Sequence, residues 1–348
     1  MFEIDGNQKS GSGTILRLAI ALSAITQQPL HIVNIRKQRP QPGLKRQHLE
    51  SVLTAAKLCS ATVEGARLGS EELYFTPNLI VGGSVETVIE TAGSIPMLFM
   101  AALPICVYAK NPVTLHVAKG GTDTMFAPTV NYLKFVLLPT LYKMGVKAEL
   151  TVQKYGYYPK GMGEATLTVE PVSKLRHIQL ENFGKLERVS GVSVCTFLAD
   201  RQVASRQANT AIQTLTKQGI TCKTQIRVLD DTSNSYQKGS SIALWAKTDT
   251  GTIIGADAIG KLGKTSESVG ENAAKTLIAE LKSQSTVDTF LADMLIPYMA
   301  LAEGNSFFYT KCLSEHIEAN IWLMETMLNS KFNIEKVNNM LYRIEKTC

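Results

Sequence analysis

The sequence predicts an α+β fold made of repeated units, each a small sheet carrying helices, with a smaller α/β domain inserted into it. Pairs of β-like runs recur between single amphipathic helical runs at intervals of roughly 60 to 80 residues, which argues against a doubly wound parallel sheet. A self-contained series of strands and helices then occupies Glu187 to Gln284, a span of domain size. Pro171 and Gly184 on one side, and the region of Thr286 on the other, read as its hinges. The expected domains are therefore 1–184 with 285–348, and 185–284.

In chain order, Phe2 to Asp5 reads as a strand and leads through a glycine-rich turn into a helix over Thr14 to Ala24. Leu30 to Ile35 is the next strand, and a Pro-Gln-Pro-Gly turn separates it from a helix over Leu44 to Leu58. Strands follow at Leu73 to Thr76 and Ser84 to Glu90, then a helix at Ser94 to Ala109. That helix carries the longest apolar stretch, but Pro96 and Pro104 interrupt it. It is too short to span a bilayer and reads as a buried element. Val113 to Val117 is a strand, Pro128 to Lys143 a helix, and Ala148 to Gln153 and Ala165 to Glu170 are strands. The inserted series reads strand (Val189 to Leu198), helix (Arg201 to Lys217), strands (Thr221 to Leu229, Ser241 to Lys247, Gly251 to Ala256) and helix (Ser266 to Ser283). Helices over Val287 to Ala302 and Glu315 to Asn329, with a strand between them, close the chain.

With 348 residues, 45% of them hydrophobic, the chain is long enough for two domains and a sizeable core. A net charge of +6 favours an anionic partner and allows both nucleic acid and nucleotide. Cys59, Cys106, Cys195, Cys222, Cys312 and Cys348 are scattered, with no C-x-x-C pair and no histidine at ligand spacing. A zinc site and a disulfide scaffold are thus disfavoured. Met1 to Asp5 carries no signal region, so a cytoplasmic location is expected.

The segment from Ile35 to Leu49 crowds five cations and a histidine around its turn. Charge runs usually only keep a surface wet. Beside a helix N-terminus, however, guanidinium forks and unpaired amides converge on one anion. Three glycine-rich turns share this setting: Asp5 to Thr14, with Arg17 one turn into the helix; Lys119 to Asp123; and Tyr155 to Gly163. The first matches neither a Walker A motif nor G-x-G-x-x-G. Tyr155, Tyr157 and Tyr158 suit packing better than base stacking. His316 stands where a strand gives way to a helix, and no Cys, Ser or second His at a suitable spacing proposes a triad. A reactive His316 would act itself as nucleophile, its neutral imidazole attacking phosphorus.

In their order and spacing these segments resemble the RNA 3′-terminal phosphate cyclase family over essentially the whole chain. The resemblance is carried by Asp5-Gly6 with Ile15-Leu16-Arg17, by Ile35-Arg36 through Gly43-Leu44 to Arg46-Gln47-His48-Leu49, and by Ala92-Gly93-Ser94. Gly120-Gly121-Thr122-Asp123 with Pro128, Gly156-Tyr157-Tyr158-Pro159 with Gly161 and Gly163, Leu291-Ala292-Asp293, and His316 with Asn320 complete it. It implies a large domain of sheet-and-two-helix repeats, like those of the enolpyruvyl transferases and the C-terminal domain of translation initiation factor 3. The inserted domain would have a thioredoxin-like arrangement.

The resemblance further implies an ATP-dependent reaction with a covalent histidine-AMP intermediate on His316, an RNA(3′)pp(5′)A end and a 2′,3′-cyclic phosphate product. Arg17, Arg36 and Arg39 fall at phosphate-holding positions and Gln47 at a nearby polar contact, while Lys37 and Lys45 are expected to be bystanders. Asp293 falls beside the histidine and nucleotide, where it would orient the imidazole or bind ribose. Pro128 and Phe290 would wall the adenine, with Met100 and Met294 on the nucleotide side. The expected partners are ATP and RNA with a 3′-terminal phosphate, with Mg²⁺ or Mn²⁺, no membrane, and homodimerisation left open.

Several positions depart from the family pattern. Ser10 stands where a metal-associated Glu is usual, so no protein metal ligand is assigned. Met100 replaces a Gln, Phe290 a Tyr, and Ala319 a Thr, and Met162 interrupts a run of three glycines. These departures keep open an alternative, a non-catalytic cyclase-like ribosomal-RNA processing factor. A plain RNA-binding module is disfavoured, because no RNP aromatic pair, KH loop or basic tail is present.

Overall fold

The computed structural model describes all residues except Thr221, Ser235 and Cys348. The first residue of one expected strand and one of the six thiols therefore lie outside the described residues. The chain is a mixed α/β protein with several small mixed sheets.

The first unit runs β1 (Phe2–Asp5), α1 (Gly13–Thr26), β2 (Leu30–Val33), α2 (Arg46–Cys59), β3 (Thr62–Glu64), β4 (Leu73–Thr76), in the sheet order β1-β2-β4-β3. The second repeats that plan: β5 (Gly83–Val88), α3 (Ile95–Val107), β6 (Val113–Gly120), a helical stretch, β7 (Lys147–Lys154) and β8 (Gly163–Glu170), ordered β5-β6-β8-β7. Its helical stretch comprises α4 (Val130–Tyr132), a π turn (Leu133–Leu137) and α5 (Leu138–Lys143). In both units the first two strands are parallel and the remaining pairs antiparallel.

Next come β9 (Leu186–Thr196), α6 (Val203–Lys217), β10 (Lys223–Asp231), β11 (Gly239–Thr248), β12 (Ile253–Ile259) and α7 (Ser266–Lys282), with the order β10-β9-β11-β12. The chain ends with α8 (Thr289–Leu301), β13 (Ser306–Thr310), α9 (Glu315–Leu328), β14 (Lys331–Asn338) and β15 (Leu341–Thr347), ordered β13-β15-β14. This is the plan of the first two units without its opening strand. Residues 176–180 run parallel beside β13 and fill that place: Phe307 N donates to Ile178 O and Leu180 N to Phe307 O, at 2.9 and 3.0 Å. The β9–α7 series thus interrupts a third unit between its first strand and its first helix.

One apolar core joins all three units and includes Phe75, Phe99, Tyr132 and Phe308. A separate cluster, with Val189, Leu244 and Leu277, lies between the β9–β12 sheet and its helices. Helix α3 is apolar nearly all round because it is buried nearly all round. Among the described residues no helix is long and apolar enough to cross a membrane.

Several features differ from the sequence expectation, among them β3 and the π turn, which it did not contain. The strand expected through Ile35 stops at Val33, because Asn34 and Arg36 take left-handed backbone angles, with φ of 52° and 56°. The β14–β15 hairpin was not expected. In β14 only Phe332 escapes exposure, so the sequence carries little of the apolar alternation that marks a half-buried strand.

Candidate active site

The repeated plan brings helix N-termini together. The first turns of α1, α2, α3, α8 and α9 all reach one cleft of about 820 Å³. Each contributes unpaired amides and a partial positive charge. Polar residues start four of the helices, as Ser12, Ser94, Asp288 and Ser314 accept hydrogen bonds from amides of their own first turns.

Cations reinforce this field. Arg17 is buried in α1, and burial together with the neighbouring Arg36 pushes its pKa down to about 10, which leaves it charged at neutral pH. The left-handed turn at Arg36 leaves that side chain buried, its Nη1 donating to Gly43 O at 2.6 Å. Arg39 donates from Nη2 to Ser10 O at 3.0 Å, tying the basic loop to the first glycine turn. Among the described residues none of the three arginines has an acidic partner. An unpaired buried cation is costly, and an anion in the cleft would relieve that cost.

Gly13 is needed where these groups meet. A β-carbon there would lie 2.6 Å from His48 Cδ2 and 3.0 Å from Arg17 Nη1, and closer still to His48 Nε2. Gly13→Ala should therefore displace both side chains and slow any reaction of an anionic substrate in the cleft by roughly 10²-fold. Steady-state kinetics checks this, and an unchanged kcat/KM would contradict it.

His316 is the second residue of α9 and opens onto the cleft. The protein around it, then Arg17 and Arg39, push its pKa below 6.5 against a weaker pull from Glu315. The helix N-terminus also disfavours a proton on the ring. Asp293 is pushed up to about 7 by burial. Its Oδ1 accepts from Ser314 Oγ at 2.5 Å, and its backbone carbonyl accepts from Asn320 Nδ2 at 2.8 Å. Ser314 is itself the cap of α9, so Asp293 braces the helix that carries His316.

All ten residues singled out from the sequence line this cleft: His316, Arg17, Arg36, Arg39, Gln47, Met100, Pro128, Phe290, Asp293 and Met294. Gln47 accepts from Ser94 N at 3.2 Å and so braces the start of α3. Phe290 is half exposed and meets Tyr132 edge-on at 6.3 Å. Tyr155 and Tyr157 are buried and Tyr158 is exposed; none of the three lines the cleft.

Lys45, expected to be a bystander, lines the cleft as the N-cap residue of α2, whereas Lys37 bonds Asn34 on the surface. His48 was missed. It is buried, and desolvation with Arg17, Arg36 and Lys45 lowers its pKa to about 2. Its Nδ1 accepts from Lys45 N, which puts the ring proton on Nε2 beside Gly13. Phe126, Asp257, Lys261 and Lys264 were missed as well. The signal for the lysines was available, since Gly260-Lys261-Leu262-Gly263-Lys264 is a fourth glycine-punctuated basic turn between a strand and a helix. Among the described residues no group of three or more His, Cys, Asp or Glu could hold a metal ion.

A cleft lined by helix N-termini and unpaired arginines, with one open neutral histidine on an α/β frame, defines a protein that handles phosphate groups. The profile of the family described as RNA 3′-terminal phosphate cyclase matches residues 8–334. Curated relatives named RNA 3′-terminal phosphate cyclase include one from Pyrobaculum aerophilum, 40% identical and covering 98% of this chain and 97% of its own. Another, from Methanococcoides burtonii, is 42% identical over 98% of each chain, and one from Pyrococcus furiosus is 39% identical over 96% and 95%. The chain belongs to the RNA 3′-terminal phosphate cyclase family, and it is a ligase-type enzyme.

Proposed function

We propose that this enzyme converts an RNA 3′-terminal phosphate to a 2′,3′-cyclic phosphodiester with ATP, through a histidine-AMP intermediate. The observation that carries the reading is His316, open to the cleft and held neutral beside Arg17 and Arg39. A ring nitrogen of His316 attacks the α-phosphorus, an N–P bond forms, and the bond to pyrophosphate breaks. An oxygen of the RNA 3′-phosphate then displaces the imidazole and takes the AMP. Finally the 2′-OH attacks the same 3′-phosphorus, loses its proton and expels AMP. DNA lacks that hydroxyl, which accounts for an RNA substrate.

Charge develops on non-bridging oxygens at each step, where fixed cations contribute most. Arg17, Arg36 and Arg39 would hold those oxygens. Pro128, Phe290, Met100 and Met294 would enclose the adenine with few polar contacts. Asp293, with Oδ1 occupied by Ser314, has Oδ2 for a ribose hydroxyl. Mg²⁺ or Mn²⁺ would arrive on the ATP phosphates with its water, since Ser10 offers only a hydroxyl and no cluster of three or more acidic, His or Cys ligands stands by among the described residues.

In the same reading, 1–184 and 285–348 form a catalytic domain of three enolpyruvyl-transferase-like units. Residues 185–284 form an inserted domain, and its strand order with two flanking helices supports a thioredoxin-like arrangement. The free thiols of Cys59, Cys106, Cys195, Cys222 and Cys312 suit a cytoplasmic location.

Incubation with α-labelled ATP should attach label to the protein through an acid-labile, alkali-stable bond. Failure to label with any divalent metal would overturn the proposal and favour a non-catalytic processing factor. Arg39→Ala should raise KM for ATP roughly 10- to 100-fold, the range for a lost charge-assisted hydrogen bond. An unchanged KM would make the exposed Arg39 a wet surface residue.

A further inference from the structure

We propose that a second wall of the cleft seats the RNA 3′ end, with Phe126 stacking a base next to the reacting phosphate and Lys261 and Lys264 holding adjoining phosphodiesters. The inference rests on the cyclase reading, which requires the RNA terminus to enter the cleft that holds His316.

Phe126 is fully exposed while lining that cleft, and its φ is 65°. A bulky side chain on left-handed backbone is rare and costly, and such sites persist where function retains them. Core packing does not explain this one, because the ring touches no other aromatic ring among the described residues and is buried by nothing. Met125 beside it is half exposed as well. An aromatic face presented at the mouth of a basic cleft suits an unpaired base, since every base has a π-face.

Lys261 and Lys264 lie on the turn between β12 and α7, both exposed and both lining the cleft. Among the described residues neither is ion-paired. Asp257, the nearest carboxylate in sequence that shares the cleft, already accepts from Thr129 N at 2.7 Å. These lysines come from the β9–β12 sheet, whereas the three arginines come from α1 and the loop after β2. Two cation sets on different elements suit two polyanions meeting at one histidine. Both cation sets line one and the same cleft, of about 820 Å³.

The test measures equilibrium binding of a short single-stranded oligoribonucleotide with a 3′-phosphate to the full chain, with KM for ATP in self-labelling recorded beside it. Phe126→Ala should weaken oligonucleotide binding roughly 5- to 100-fold, and Phe126→Trp should restore it. Replacing both Lys261 and Lys264 with Ala should reduce the slope of log affinity against log salt by about 1.4, or about 0.7 for each phosphate released. Unchanged oligonucleotide affinity in these variants would overturn the inference, as would a loss of ATP affinity as large as the loss of RNA affinity. Failure of the wild type to self-label sinks the cyclase reading instead, and the binding measurement still judges this wall.

Discussion

His316→Asn should reduce attachment of AMP from α-labelled ATP by about 10⁵-fold or more, the scale of losing a covalent nucleophile. The other cleft histidine cannot substitute: His48 has its Nδ1 engaged by Lys45 N and its Nε2 against Gly13. The variant should keep its fold, because His316 is exposed and makes no side-chain hydrogen bond among the described residues. It should still cyclise RNA supplied with a preformed pp(5′)A end, because that step needs only the 2′-OH and departing AMP. In the wild type the acid limb of the labelling rate should have its midpoint below pH 6.5. The reason is the sign of the shift: a lowered pKa keeps the ring neutral down to pH values below its ordinary 6.5, and only then does protonation remove the nucleophile. Retained label in the variant would refute the assignment, and an acid limb with its midpoint at or above pH 6.5 would refute the electrostatic account.

The sequence made most of the site legible because its residues lie at element ends, where glycine, proline and charge mark the junctions. Arg17, Arg39 and His316 follow strand-like runs at junctions that periodicity alone can find. Arg17, Arg36 and Arg39 were all assigned to phosphate by resemblance; what periodicity hides is that the chain leaves the strand at Asn34 and turns the Arg36 side chain inward. Lys261 and Lys264 reach the cleft only because α4 docks against the β9–β12 sheet, through Thr129 N to Asp257 and Ser241 Oγ to Asp123. That contact joins residues more than a hundred positions apart, and no local pattern encodes it. Asp293 was expected to orient the imidazole or bind ribose; its Oδ1 accepts from Ser314 Oγ, which leaves Oδ2 for such a role. The resemblance supplied the neighbourhood of the carboxylate, and the capping geometry of α9 decides its partner.

The same docking region makes Asp288 a residue whose loss should weaken the fold strongly. Its carboxylate is buried, caps α8 through the amides of Phe290 and Leu291, and accepts from Tyr132 Oη at 2.5 Å and from Gly255 N at 2.8 Å. One side chain thus ties α4, β12 and α8 together. Burial pushes its pKa up to about 6, yet the four donors keep it ionised at neutral pH. Asp288→Ala removes the cap and leaves the Gly255 amide and the Tyr132 hydroxyl buried without partners. Together these losses should cost about 3–5 kcal/mol and lower Tm by on the order of 10 °C. Asp288→Asn should recover only part of this, because an amide has one acceptor oxygen where the carboxylate uses two. Phe290 follows two residues behind this anchor and rests edge-on against Tyr132, so ATP affinity should fall along with stability. A Tm within 2 °C of wild type, beside weakened ATP binding, would mean that Asp288 acts on the nucleotide wall alone and that the docking of α4 is held by Asp257 and Asp123.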